Sequence, residues 1–82
     1  MLKYELKPDE VNKAKDFVKK LRNQRKGWEH ELEDAKSFLT HCPNKFYKNT
    51  KVRIDYAEKQ IAIIDFKIAE LKEAIKRGYV EI

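Results

Sequence analysis

The stretch Ile54–Ile75 reads IDYAEKQIAIIDFKIAELKEAI, and the spacing of its apolar residues decides the fold. Ile54, Ala57, Ile61, Ile64, Ile68, Leu71 and Ile75 recur at alternating steps of three and four. That spacing returns to one side of an α-helix every two turns, so the stretch predicts a helix with one continuous apolar seam. Lys76 and Arg77 put positive charge where the free carbonyls of such a helix gather, and Gly78 supplies the left-handed backbone that ends many helices. Upstream, Thr50 has a hydroxyl suited to capping the first free amides, so the helix is expected from about residue 51 to residue 77.

Toward the N-terminus the same period appears a second time. Val11, Ala14, Val18, Leu21, Arg25, Trp28, Leu32, Ala35, Leu39 and Cys42 form a seam that only Arg25 interrupts with a charge. Pro8 suits the first turn of a helix, and Asp9 and Glu10 place negative charge at its amide end. A first helix is therefore expected over about residues 9–40, and Pro43-Asn44 marks a turn within a connection over about residues 41–50. Gly27 is the weak point, with Arg25 and Lys26 before it and Glu29, Glu31 and Glu33 after it, as at a helix end followed by a helix start. A break there would shift the phase of the seam, and the phase is kept. One continuous helix is expected, with room for a bend at Gly27.

Two seams joined by a short connection fold back on each other. The expected fold is all-α: an antiparallel, coiled-coil-like two-helix hairpin forming one domain over residues 1–82. In that pairing Leu39 lies near Ile54, Trp28 near Ile64 and Val18 near Ile75. Arg25 then either snorkels outward along its stem or pairs with Asp65, and a charge at a seam position is expected to set the register between the helices. Both chain ends meet at one end of the hairpin. Leu2, Tyr4 and Leu6 alternate with Lys3, Glu5 and Lys7, and Tyr79-Val80-Glu81-Ile82 alternates too. These ends either pair as a minimal β ribbon or fray, because an isolated two-stranded ribbon is marginal.

The 82 residues allow only a thin core, and Cys42, the single cysteine, allows no internal disulfide. No apolar run approaches the roughly 20 residues that span a bilayer, and the start has no signal-peptide core, so no membrane is expected and the location is read as cytoplasmic. Catalysis is not expected. The two glycines, Gly27 and Gly78, make no phosphate loop. A nucleophilic Cys42 would need His41 or His30 as its base, and Cys42 reads more simply as a small seam residue. His30, His41 and Cys42 do not match a zinc spacing, and His30 with Asp34 reads as a solvated surface pair. No cofactor, metal or small-molecule substrate is expected.

Two features do suggest binding. The second helix carries another apolar stripe away from its seam, formed by Tyr56, Ala62, Ile63, Phe66 and Ala69. In a lone hairpin that face would meet water, so something should cover it: a second copy, a different protein, or the chain's own ends. Phe17 and Phe38 flank the first seam and either seal the hairpin or extend the patch. Phe46 and Tyr47 in the connection either anchor in a partner or cap the core. The expected function is a small non-catalytic interaction module, an adaptor, regulator or inhibitor, that presents Tyr56, Ile63 and Phe66 and self-associates as a homodimer or larger assembly. The alternative comes from charge: 40% of residues are charged and the net value is +5. Lys15, Lys19, Arg22 and Lys26 in the first helix, with Lys45 and Lys48 beside Phe46 and Tyr47, would suit a nucleic-acid-binding accessory protein. The acidic run Glu29, Glu31, Glu33 and Asp34 divides those two basic groups, which fits a continuous phosphate track poorly.

Overall fold

The computed structural model describes residues 2–81, so Met1 and Ile82, which complete the two alternating ends, lie outside the described residues. The chain order is β1 (Lys3–Glu5), α1 (Pro8–Leu39), α2 (Asn44–Arg77) and β2 (Tyr79–Glu81). The two helices, 32 and 34 residues long, pack against each other as an antiparallel hairpin. Pro8 opens α1 in the first turn, where its missing amide donor is not needed, and Asp9 and Glu10 follow in that turn. α1 runs unbroken through Gly27, as the unshifted phase of its seam requires.

The connection is much shorter than the sequence suggested. It spans residues 40–43, and α2 begins at Asn44 rather than near residue 51. Pro43 is extended, with φ −61° and ψ 149°, and nothing between Asn44 and Thr50 breaks a helix, so helical backbone starts at once. Thr50 is not a cap. It lies inside α2, 2% exposed, and its hydroxyl donates to the Phe46 carbonyl one turn back at 2.8 Å. The steps from Thr50 to Ile54 and Ala57 keep the seam phase, which is the physical reason that Thr50 is buried against α1. At the end of α1 the Thr40 hydroxyl donates to the Ser37 carbonyl at 2.7 Å. Its single proton is then used, so the His41 Nδ1 2.7 Å away must be the donor in that second contact.

The buried core is thin. Val18, Leu21 and Ala35 from α1 meet Ile54, Ala57 and Ile64 from α2, while Leu32, Leu39, Ile61, Ile68, Leu71 and Ile75 are half-buried. Val18 and Ile75 line one shallow groove, in keeping with the expected pairing of the seams. Arg25 reaches across to Asp65, its Nε donating to Oδ1 at 2.6 Å, and also pairs with Glu29 one turn along α1. Both carboxylates are exposed and the guanidinium is half-buried, so this network contributes little net stability.

At the open end the chain ends pair, antiparallel, with Lys3 opposite Glu81, Tyr4 opposite Val80 and Glu5 opposite Tyr79. Gly78, at φ 82°, turns the chain out of α2 and accepts the Leu6 amide at 2.9 Å. The Lys3 ammonium sits 4.7 Å from the Tyr79 ring centroid. The Tyr4 hydroxyl donates to Glu10 at 2.9 Å, which ties the ribbon to the first turn of α1. This contact raises the Tyr4 pKa above the ordinary tyrosine value, first because the hydrogen bond needs the phenol proton and second because the Glu10 charge repels a phenolate. No helix among the described residues is long and apolar enough to cross a membrane.

The molecule is one layer of helix thick, measuring 54 × 24 × 12 Å. Its radius of gyration is 17.7 Å, where a compact chain of this length would give about 12 Å. Most domains enclose their core between two layers. Here a single layer leaves both broad sides and both outer edges open.

Candidate partner-binding face

α2 is apolar on more than one side. Each residue advances the helix by about 100°, so residues three or four apart share a face and residues outside the seam phase emerge elsewhere. Val52, Tyr56, Ile63 and Phe66 fall outside the phase of the Ile54–Ile75 seam. Tyr56 is 54%, Ile63 42% and Phe66 64% exposed. The three large residues of the five-residue stripe named from the sequence are thus on the surface. Among the described residues, the chain ends leave them exposed.

The stripe has two distinct parts. Tyr56 lies at the flank of α2 and meets Trp28 of α1 edge-on, with ring centroids 5.5 Å apart and planes at 71°. The Tyr56 ring is thereby held by the hairpin itself. Beside this pair, Gly27, Gln24 and Glu31 line a shallow groove, open because a Cβ on Gly27 would meet nothing within 4 Å. Ile63 and Phe66 lie farther round, on the edge of the molecule opposite α1. Near Phe66 the ribbon forms the wall of a notch, with Ala69, Glu73 and Arg77 on one side and Tyr79 and Val80 on the other. Glu73 and Arg77 pair one turn apart along α2 at 2.8 Å. Phe17 shares a groove with Lys67, Leu71 and Val80, so it extends the apolar surface from the α1 side, and Phe38 is also exposed near the far end of α1.

Phe46 and Tyr47 occupy a different setting from the expected loop. Both stand in the first turn of α2, where they remain exposed, and Lys45 places its ammonium 5.0 Å from the Phe46 ring centroid. The basic residues on α1 do share a face. Lys15, Lys19, Arg22 and Lys26 follow steps of four, three and four, and all are exposed. Lys45 and Lys48 lie at the opposite end of the hairpin. Arg53, which would continue their charge, is held by Glu31 through a 2.5 Å bond from Nη2 and a 3.1 Å bond from Nε.

Three members of the α2 edge escaped the reading from sequence. Val52, Lys59 and Glu70 are exposed and complete the series Val52, Tyr56, Lys59, Ile63, Phe66 and Glu70 at steps of four, three, four, three and four. That regular spacing was the available signal, but two charged members hide it when only apolar residues are counted. No protein-family model matches the chain, and comparison with curated proteins and with solved structures returns no match.

Proposed function

We propose that this protein is a non-catalytic interaction module that works by presenting the Tyr56–Ile63–Phe66 surface of α2 to another protein surface. It would serve as an adaptor, regulator or inhibitor of assembly, with no chemistry of its own. One observation carries this reading: three large apolar side chains on α2 lie open to water outside the helix–helix seam, in a molecule one layer thick. Exposed apolar clusters of this kind are characteristic of binding surfaces. The accessible surface of 6694 Å² supports it, since a monomer of 9.8 kDa ordinarily exposes about 5,200 Å².

The test is a pair of substitutions, Ile63→Asp and Phe66→Asp. Each should abolish assembly or partner binding, read by light scattering after size exclusion, while far-UV circular dichroism retains nearly full helix content. A parallel loss of helix would show that the two residues hold the hairpin together, and the reading would fall. A second reading, nucleic-acid binding, draws support from the Lys15–Lys19–Arg22–Lys26 stripe on one face of α1. It expects binding that weakens steeply with salt and falls further in Lys19→Glu and Arg22→Glu. Absence of binding to duplex or single-stranded DNA and RNA at low salt removes it.

A further inference from the structure

We infer that the occupant of the exposed α2 edge is a second copy of this chain, docked antiparallel about a two-fold axis that passes between Ile63 and Phe66. The inference rests on the interaction surface proposed above and assigns its partner and register. The edge series Val52, Tyr56, Lys59, Ile63, Phe66 and Glu70 has the alternating spacing of a coiled-coil seam, with Ala62 and Ala69 beside it as small residues that let two backbones approach. In a two-fold interface, residue i meets residue j of the partner and j meets i. An axis between Ile63 and Phe66 sets Ile63 against the partner's Phe66, and Lys59 against the partner's Glu70. Each contact occurs twice.

The charges select this arrangement over its competitors. A parallel pairing would set Lys59 against Lys59 and Glu70 against Glu70. Sliding the antiparallel pairing by one heptad in one direction sets Lys59 against Ile63 and Glu70 against Val52. Sliding it in the other sets Phe66 against Glu70 and Ile63 against Glu73. Only the first register matches apolar to apolar and plus to minus along the whole central stretch. Among the described residues, neither Lys59 nor Glu70 takes part in an ion pair within the chain, so both are free to pair across the interface.

The notch between Phe66 and the ribbon fits the same register. Tyr56 of one copy falls opposite the partner's Glu73, at the notch that Ala69, Glu73, Arg77, Tyr79 and Val80 enclose. An aromatic ring with a hydroxyl at its end suits a recess lined by both apolar and charged side chains. The protein exposes, over all its faces, about 1,500 Å² more than a compact monomer of its mass, and stable two-fold dimers bury roughly 1,000 Å² or more per copy.

The test exploits the two-fold symmetry. Sedimentation equilibrium of the wild-type chain should show a dimer. Lys59→Glu faces Glu70 twice in its own dimer and Glu70→Lys faces Lys59 twice, so each variant alone should dissociate about tenfold or more readily. An equimolar mixture of the two variants restores both opposite-charge contacts and should return to dimer, as should the double variant. Circular dichroism should stay unchanged throughout, because both side chains are exposed. A wild-type chain that stays monomeric at all concentrations overturns the inference. So does a dimer that the mixture fails to rescue; if Ile63→Asp still breaks that dimer, the register is wrong and the interaction surface stands. A dimer indifferent to Ile63→Asp and Phe66→Asp removes both.

Discussion

α2 carries two seams built on the same period, and they meet opposite fates. The inner one, Ile54 to Ile75, is wholly aliphatic and packs on α1. The outer one, Val52 to Glu70, mixes two aromatic rings and two aliphatic side chains with a lysine and a glutamate, and faces solvent. Heptad spacing alone does not say which seam a helix uses within its own chain. The difference in content does. A seam without charge can be closed permanently inside the hairpin, whereas a seam with an unpaired lysine and glutamate suits a surface that must be soluble when free and selective when occupied.

The sharpest way to break this comparison is to truncate neighbouring isoleucines that belong to different seams. Ile64→Ala removes a core side chain and should lower stability by about 2–5 kcal/mol, enough to shift the thermal unfolding midpoint of so small a protein by many degrees. Ile63→Ala, one position away and 42% exposed, should cost under about 1 kcal/mol in the separated monomer. Thermal melts of both at concentrations that disfavour assembly check this. Equal losses would mean that the outer seam is part of the hairpin core.

A smaller effect, of opposite sign, is expected at Gly27. It sits mid-helix in α1 beside the Trp28–Tyr56 groove, where an added methyl group meets nothing within 4 Å. Gly27→Ala should therefore raise stability by about 0.5–1 kcal/mol by restricting the unfolded chain, measured by urea unfolding. A loss instead would mean that this side of the hairpin is closely packed. The smallest effect belongs to the ribbon, which has no seam. The raised pKa of Tyr4 means that its contact with Glu10 stabilises the fold below the ordinary tyrosine pKa and is lost as pH climbs through the raised value. Tyr4→Phe should remove that alkaline component, seen as a flatter dependence of the unfolding midpoint above about pH 10.

Both helices and their antiparallel pairing were legible from residue spacing, and the Arg25–Asp65 contact was one of two outcomes that spacing allowed. Those features depend on local periodicity and on one geometric consequence of joining two seams. The terminal ribbon was one of two outcomes allowed by alternating residues, and its formation follows from α1 and α2 delivering both ends to one place. The connection was misread because Thr50 has the chemistry of a helix cap, while its burial arises only once α1 lies against it. Phe46 and Tyr47 were misplaced on a loop for the same reason.

The sequence by itself determined the periods: two long helices, one aliphatic seam on each and a second stripe on α2, because side-chain direction along a helix is set by backbone geometry alone. Only the tertiary structure decided which surfaces remain open. It turned Thr50 inward, set Tyr56 against Trp28, placed the ribbon beside Phe66 to form a notch, and left Ile63, Lys59 and Glu70 on an uncovered edge. The reason is that exposure depends on which elements reach a given face, and a single layer of two helices can cover only one face of each.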